Sequence, residues 1–328
     1  MSRRSAYQGS GSGSSATSAG LGYLTKSSQP TTTRVVVVHR LTERQDIVRA
    51  AGTWGQAKFG AKRRGATVSL DQVQQRHDQT EQALQTVSAA IPSTWRRGAV
   101  ERADLDRFLF EPDDVIVIVG PDGLVANTAK YLTGQPVIGI NPDPTSVTGV
   151  LVKHQAQACA ALLAKLSDRR ATTELRTMVH AATDDGLELN ALNEVYLGHP
   201  GHQSARYQLI TPDGQTEAQS SSGLLVGTGT GASGWLLSTA RERTTHLPAP
   251  APTDPDLNWY VREAWPSPTT GATLTAGLLP AGTELQIRTG ADGLVAFGDG
   301  IESDHLTLTW GQTVTFRAAD RKLNLVLA

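Results

Sequence analysis

The stretch that decides the fold is Asp114–Val115–Ile116–Val117–Ile118–Val119–Gly120–Pro121–Asp122–Gly123. Its unbroken β-branched run predicts a strand buried on both faces, as in a parallel sheet. A helix is predicted next, from about Val125 to Leu132. Backbone N–H groups at such a strand–turn–helix junction suit a phosphate, and an Asp there can accept a proton from a hydroxyl. The same four residues also fit an ordinary Asp–Gly turn.

The flanking segments extend this pattern. Val35–Val38 and Pro136–Ile140 are further short apolar runs that predict buried strands. The Gln- and Ala-rich segment Leu70–Ala90 predicts a helix that ends before Pro92. Strands that alternate with helices predict a doubly wound α/β domain, which we place at residues 34–170.

Residues 171–328 have a different texture and predict a β-rich, sandwich-like domain. Turn signals such as Pro212–Asp213–Gly214 and Ala291–Asp292–Gly293 separate short apolar segments. One helix is predicted inside this half, over Trp235–Arg243. The strand-like segments are Leu175–Ala181, Leu187–Tyr196, Arg206–Ile210, Gly223–Val226, Leu285–Thr289, Leu294–Phe297, Leu306–Thr309, Val314–Arg317 and Leu323–Leu327.

Residues 1–33 form a Gly/Ser-rich leader that we expect to be disordered, because it has too little apolar surface to offset chain entropy. Its composition favours a bacterial-type cytoplasmic protein. Basic residues without acidic ones, such as Arg3, Arg4 and Lys26, also fit a transit peptide, so the mitochondrial matrix is the alternative.

Charge and cysteine content exclude several classes. The 328 residues include 30 basic and 31 acidic side chains, so nucleic-acid binding through bulk electrostatics is not expected. No apolar run approaches the ~20 residues that span a bilayer, so no membrane partner is expected. The single cysteine, Cys159, excludes an internal disulfide and a four-cysteine zinc site. We expect His199 and His202 to lie in a solvated loop, and we predict no metal site made by protein residues.

Two further motifs carry polar chemistry. Thr228–Gly229–Thr230–Gly231–Ala232–Ser233–Gly234–Trp235 follows a predicted strand and opens a helix, so its backbone and hydroxyls could bind a ligand. It is not followed by the βαβ unit that a Rossmann domain requires. Asn193–Glu194 sets an amide beside a carboxylate, a pair that can hold ribose hydroxyls, although a solvated polar pair is the simpler interpretation.

These motifs, in this order, resemble the NAD kinase family over roughly residues 34–328. The family's G-G-D-G-T motif corresponds to Gly120–Pro121–Asp122–Gly123–Leu124, its N-E motif to Asn193–Glu194, and its Gly/Thr-rich motif to Thr228–Trp235. The stretch Val137–Pro144 (VIGINPDP) looks like the mitochondrial-type NAD/NADH kinase branch. The resemblance implies the two-domain fold predicted above.

The resemblance also implies an activity and a set of site residues. The family transfers the γ-phosphoryl group of ATP, with Mg²⁺ or another divalent cation, to the adenosine ribose 2′-hydroxyl of NAD or NADH, giving NADP(H). By motif position, Asp122 is the expected catalytic acid/base, and Gly120 and Gly123 are expected against phosphate. A homodimer or higher homo-oligomer is also implied. The expected substrate-binding residues are Asn193, Glu194, Thr230, Ser233, Trp235 and Ser238; for Trp235 a purely packing role is an equal alternative.

Two residues depart from the family pattern. Pro121 has no N–H to donate to a phosphate, and Leu124 removes a hydroxyl from the helix start. These changes leave a second hypothesis open, a non-catalytic or degenerate NAD(H)-binding protein of the same fold. A related lipid kinase is a third, because that superfamily shares the turn, but the Thr/Gly-rich loop favours a nucleoside. The sequence does not choose between NAD and NADH, or between ATP and polyphosphate.

Overall fold

The predicted strand before Gly120 lies inside a six-stranded sheet of the computed structural model, which describes residues 33–64, 69–146, 148–243 and 247–328. The strands of this first sheet are β1 (Arg34–His39), β2 (Arg96–Glu101), β3 (Val115–Val119), β4 (Pro136–Ile140), β5 (Thr173–Arg176) and β18 (Leu323–Val326). They are ordered β2-β1-β3-β4-β18-β5, and only β5 runs antiparallel to its neighbour.

Helices cover both faces of the first sheet, which is why its central strands are continuous apolar runs. The α-helices of the described residues are α1 (Glu43–Ala51), α2 (Trp54–Arg64), α3 (Leu70–Ala90), α4 (Asp122–Ala129), α5 (Cys159–Ser167) and α6 (Trp235–Arg241), of which α4 covers one face of this sheet and α3 and α5 cover the other. Ile116 and Ile118 of β3 share one core with α4, whereas Val115 and Val117 share another with α3 and α5. Each such buried side chain stabilises the fold by about 1.5–3 kcal/mol.

The second half of the chain forms two six-stranded antiparallel sheets that face each other. Their strands are β6 (Val179–Thr183), β7 (Glu188–Ala191), β8 (Glu194–Gly198), β9 (Ala205–Ile210), β10 (Thr216–Ser221), β11 (Leu224–Gly227), β12 (Leu257–Val261), β13 (Ala276–Leu279), β14 (Leu285–Thr289), β15 (Leu294–Gly298), β16 (His305–Leu308) and β17 (Thr313–Ala318). The sheets are ordered β10-β9-β14-β17-β6-β7 and β13-β12-β11-β8-β15-β16. Alternate residues of both sheets, such as Leu209 and Val226, fill one shared core. The predicted fold class, α/β followed by a β-sandwich, is confirmed.

The domain boundary at residue 170 stays a prediction. The sheet topology shows that the chain after residue 170 also contributes strands to the first sheet. β5 and β18 both follow residue 170, yet both belong to the first sheet. The second half is thus an excursion that leaves the first sheet and returns to it. Of the predicted leader, only Thr33 lies within the described residues. Among the described residues, no helix has the length and apolarity needed to cross a membrane.

Candidate active site

Asp122 is the first residue of α4, with Pro121 as the extended residue before it. Its half-buried carboxylate accepts three backbone N–H groups: Oδ2 bonds Val150 at 2.8 Å, and Oδ1 bonds Leu151 and Val152 at 2.8 and 2.9 Å. A carboxylate offers about four lone-pair positions, so one remains for a further partner. Asp122 is thus held in one orientation at the carboxyl edge of the sheet.

A glycine in β4 makes this arrangement possible. A Cβ atom at Gly139 would lie 2.3 Å from the carbonyl oxygen of Leu151, well inside van der Waals contact. The absent side chain lets the segment 150–152 pass directly over the strand and reach Asp122. The glycine of V-I-G-I, Gly139, is therefore required for packing, and it affects the site through this segment.

The Asn193–Glu194 turn and the Gly-rich loop pack directly on each other. Thr228 donates its backbone N–H to Asn193 O at 2.9 Å and its hydroxyl to Leu192 O at 2.6 Å. A Cβ at Gly231 would lie 2.3 Å from the same Asn193 oxygen, so only glycine allows this approach. Because β8 and β11 pair at Glu194 and Gly227, the two motifs are also neighbours in one sheet.

The three motifs meet at one cavity of about 190 Å³, which we call the Asp122 cavity. Its lining residues are Asp122, Val150, Leu151, Asn193, Thr230, Gly231, Ser233 and Gly234. The volume equals that of about six water molecules, which suits a sugar ring rather than a whole dinucleotide. The hydroxyl of Thr230 is buried and has no hydrogen-bond partner in the structure. An unpaired buried hydroxyl is costly, so a polar group that reached this atom would gain a hydrogen bond.

Glu194 lies beside this region with 8% of its surface exposed. Burial, reinforced by the negative charge of Asp299, raises the pKa of Glu194 to about 8. Its carboxyl is therefore protonated at neutral pH and has one O–H to donate. The Glu194 carboxyl can therefore donate a hydrogen bond to a sugar oxygen, whereas the motif alone suggests an ionised carboxylate that only accepts.

Asp299, in the turn between β15 and β16, was not singled out from the sequence. Its carboxylate accepts the N–H groups of Leu192 at 2.8 Å and Asn193 at 2.7 Å. Burial raises the pKa of Asp299 to about 6, and these N–H bonds act in the opposite direction. The only local signal is the Gly298–Asp299–Gly300 turn, which could equally be an ordinary hairpin turn.

A second cavity, of about 210 Å³, lies at the carboxyl ends of β1, β3 and β4. The chain passes from β1 to β2 on one side and to β3 on the other, so this is the topological switch point of the sheet, where open α/β folds bind ligands. We call it the switch-point cavity. Its lining includes Arg40, Arg76, Gly120, Pro121 and Asn141. Pro121 lines this cavity and Asp122 lines the other, so one peptide bond links a residue of each.

The other predicted site residues lie outside the Asp122 cavity. Gly120 faces the switch-point cavity and donates its N–H to Ile140 O at 3.1 Å. Gly123 is exposed in the first turn of α4, with open space where a Cβ would be. Ser238 is exposed on α6. Trp235 stacks on Tyr196 at 5.6 Å between ring centroids, with the Arg262 guanidinium 5.2 Å from its ring.

The two departures from the family pattern have different structural settings. Pro121 precedes α4 with φ −77° and gives that helix no side-chain cap. Leu124 is 1% exposed and packs in the core beneath the turn, so it serves packing where a hydroxyl would serve phosphate. Within the described residues, no group of three or more His, Cys, Asp or Glu side chains could hold a metal ion.

Fold and site together define a protein with a doubly wound sheet, a β-sandwich and an aspartate at the start of a helix, facing a sugar-sized cavity. The chain is 30% identical over 132 residues to an NAD kinase of Clostridium kluyveri and 33% identical over 138 residues to one of Azotobacter vinelandii. These matches cover 38% and 40% of this chain and 45% of each relative, so the chain spans less than half of the relatives' length. No family model matches.

Among solved structures, a yeast NADH kinase complexed with NADH is similar, with a TM-score of 0.60 and 12% identity. The match covers 91% of this chain and 84% of that one. At this identity the likeness establishes a shared fold. The resemblance to the NAD kinase family that the motifs predicted is thereby confirmed, in sequence over part of the chain and in fold over most of it.

Proposed function

We propose that this protein is an NAD(H) kinase, which transfers the γ-phosphoryl group of ATP to the adenosine ribose 2′-hydroxyl of NAD or NADH. The observation that carries the proposal is the meeting of three separate motifs at the Asp122 cavity. The unpaired Thr230 hydroxyl in that cavity supports a ligand with its own polar groups, such as a ribose.

In this proposal the acceptor ribose occupies the Asp122 cavity. Asn193, Thr230, Ser233 and the protonated carboxyl of Glu194 bind its hydroxyls and the adjoining adenosine. Asp122 uses its remaining lone pair to accept the proton of the 2′-hydroxyl. The 2′-oxygen then bonds to the γ-phosphorus while the bond from that phosphorus to the bridging oxygen of ADP breaks.

The donor then lies in the switch-point cavity, because Pro121 of that cavity directly precedes Asp122. Arg40 lines this cavity and supplies positive charge for a triphosphate, whereas Arg76, which also lines it, is ion-paired with Glu43 at 2.5 Å. Gly120, which lines this cavity, and Gly123, in the first turn of α4, remain proposed phosphate-binding residues. Mg²⁺ comes with ATP as part of the substrate, since it prefers phosphate oxygens and water with one or two carboxylates.

The purified chain with ATP, Mg²⁺ and either NAD or NADH tests the proposal, with the 2′-phosphorylated product measured by chromatography. Loss of a general base costs about 10²–10⁴ in rate, so Asp122→Asn should lower kcat at least 100-fold. The control is Asp213→Asn, in an exposed turn of the β-sandwich, with kcat within twofold of the wild type. A loss of less than tenfold at Asp122 would remove it from the mechanism.

The same assays decide the alternatives. Micromolar NAD(H) binding without turnover would favour the non-catalytic binding protein that Pro121 and Leu124 suggest. Comparing kcat/KM for NAD with NADH, and for ATP with polyphosphate, ranks the substrates. We also propose a homodimer or higher homo-oligomer, which sedimentation measures. The cytoplasmic location and the mitochondrial alternative stay predictions.

Trp235 and Ser238 remain proposed substrate-binding residues at the edge of the adenosine pocket. Trp235 already has Tyr196 on one side and Arg262 near its ring, which favours the packing role for its faces. Trp235→Phe keeps an aromatic ring in this stack. If the ring only packs, NAD(H) affinity should stay within twofold of the wild type. If the indole contacts the substrate, NAD(H) affinity should fall by more than twofold.

A further inference from the structure

Asp299 bonds every residue of the turn that carries Asn193 and Glu194. Its two carboxylate oxygens accept the N–H groups of Leu192 and Asn193, and its own N–H donates to Glu194 O at 3.1 Å. These three hydrogen bonds restrain the backbone of Leu192, Asn193 and Glu194. The turn is therefore fixed by one side chain that lies outside the cavity lining.

The same residue also bonds the helix that carries Asp122. Asn127 of α4 donates its side-chain N–H to Asp299 O at 2.8 Å, and its side-chain oxygen accepts Arg102 Nε at 2.7 Å. Asn127 is 6% exposed, so these bonds form away from solvent. Asp122 and Asn127 sit on one rigid helix, 172 residues before the turn at 299. Asp299 thus connects the first sheet's helix to the β-sandwich's turn.

The backbone of Asp299 is itself specialised for this task. Its φ of 53° is in the left-handed region, which aspartate and asparagine tolerate better than most residues. A Cβ at the preceding Gly298 would lie 2.8 Å from the Ala191 side chain, so the turn presses against the strand that leads to Leu192. The position therefore requires a short side chain with two acceptors.

From this geometry we propose that Asp299 is a positioning residue that sets the distance between Asp122 and the Asn193–Glu194 turn. The proposal rests on the proposed kinase function, in which these two groups face one ribose. Asp299 touches neither substrate nor the reacting atoms. Its effect passes through backbone N–H groups on one side and through Asn127 on the other.

The test compares two variants in the full chain. Asp299→Asn keeps the left-handed backbone but offers one acceptor for two N–H groups, so the turn loosens and the Kd for NAD(H) should rise at least tenfold. Asn127→Ala leaves the turn bonded but frees α4, so kcat should fall about tenfold while the Kd stays within threefold. The control is Asp292→Asn, in the turn between β14 and β15, whose carboxylate accepts the Trp310 N–H at 2.7 Å and makes no bond to Leu192 or Asn193 among the described residues.

Asp299→Asn that folds and keeps Kd and kcat within twofold of the wild type would overturn the proposal. If this variant does not fold, Asn127→Ala decides: an unchanged kcat contradicts the proposal, and a lower kcat with unchanged Kd supports it. If the wild type binds neither NAD nor NADH, the kinase proposal fails instead. Amide exchange then tests the turn, and Leu192 and Asn193 should exchange at least tenfold faster in Asp299→Asn but not in Asp292→Asn.

Discussion

The hydroxyls of Thr228 and Thr230 lie two residues apart in the Gly-rich loop but have opposite surroundings. Thr228 Oγ1 donates to Leu192 O and accepts the N–H groups of Thr230 and Gly231 at 3.1 and 3.2 Å. Thr230 Oγ1 is buried without a partner. One hydroxyl therefore builds the loop, and the other is available to a ligand.

This contrast predicts opposite effects of the same substitution. Thr230→Val removes an unsatisfied hydroxyl, so the free energy of unfolding should stay equal or rise by up to about 2 kcal/mol, while NAD(H) affinity falls about three- to tenfold. Thr228→Val leaves three backbone groups unpaired and should lower stability by about 1–3 kcal/mol. Denaturant unfolding and calorimetry measure both. A destabilised Thr230→Val with unchanged affinity would contradict the ligand role.

The raised pKa of Glu194 predicts that the free energy of unfolding depends on pH. Its pKa is raised by burial to about 8 in the folded state, so between the unfolded value, about 4.3, and pH 8 the folded protein binds more protons than the unfolded chain. Its contribution to stability is complete below that window and is lost as the pH rises through it. Each unit of pKa difference corresponds to about 1.4 kcal/mol.

We therefore expect the free energy of unfolding to fall by more than about 1 kcal/mol between pH 6 and pH 8. Glu194→Gln, which cannot ionise, should remove most of this slope. Asp299, with its pKa near 6, adds a slope of the same sign at lower pH. Equal slopes in the wild type and Glu194→Gln, measured by urea unfolding at several pH values, would show that Glu194 does not titrate as described.

The candidate site could be predicted where residue type and chemistry coincide. Asp122, Asn193 and Thr230 are polar residues in motifs, and the structure brings them together. Asp299 could not be found this way, because its bonds reach 106 and 107 residues along the chain and no local pattern records them. Cys159 is fully buried, and burial raises its pKa to about 11.

Among the secondary-structure elements, several strands with apolar runs were predicted, but β12 was not, and the single strand predicted at Leu187–Tyr196 is two strands, β7 and β8, in different sheets. Predicted Pro136–Ile140 and Leu285–Thr289 match β4 and β14, and predicted Leu70–Ala90 matches α3. The first helical turn of α4 was missed because Pro121–Asp122–Gly123 looked like a turn. β10 (TEAQSS) was missed because an edge strand with a solvated face carries few apolar residues. α1 and α2 were missed because they are short and polar on average, and α1 buries no residue.

Two glycines on different elements give a prediction at this scale. Gly123 has open space around it in α4, so Gly123→Ala should stabilise the helix by about 0.5–1 kcal/mol. Gly139→Ala would drive a Cβ into Leu151 O, so it should destabilise by about 1–3 kcal/mol and lower kcat by displacing the segment that holds Asp122. Thermal unfolding and the kinase assay measure both, and a fully active, stable Gly139→Ala would refute the packing role.

For the whole molecule, the decisive feature is the return of β18 to the first sheet. β18 pairs parallel with β4 and antiparallel with β5, after the chain has built the entire β-sandwich. Sequence predicts this strand but not its partners, because any short apolar strand can pair with any exposed edge. Because β18 lies between β4 and β5 and follows the β-sandwich in the chain, we expect the stability of each half to depend on the other.

We expect the two halves to unfold as one cooperative unit. Leu325 of β18 is 1% exposed, so Leu325→Ala should cost about 2–5 kcal/mol. Hydrogen exchange should show faster opening of both β3 and β14, although β14 lies in the other half. The control, Leu175→Ala in neighbouring β5, removes a side chain that is 53% exposed and should change stability by less than about 0.5 kcal/mol. Faster exchange confined to one half would indicate independent folding units.

The carboxylate of Asp122 also holds the backbone of residues 150–152 by hydrogen bonds, and we expect these bonds to change during catalysis. A proton taken from the ribose would settle on an oxygen that now accepts N–H groups from residues 150–152. Protonation weakens those bonds, so the segment should relax at the moment of transfer and tighten when the proton leaves. Nitrogen chemical shifts of Val150, Leu151 and Val152 would then act as a built-in reporter of the chemical step.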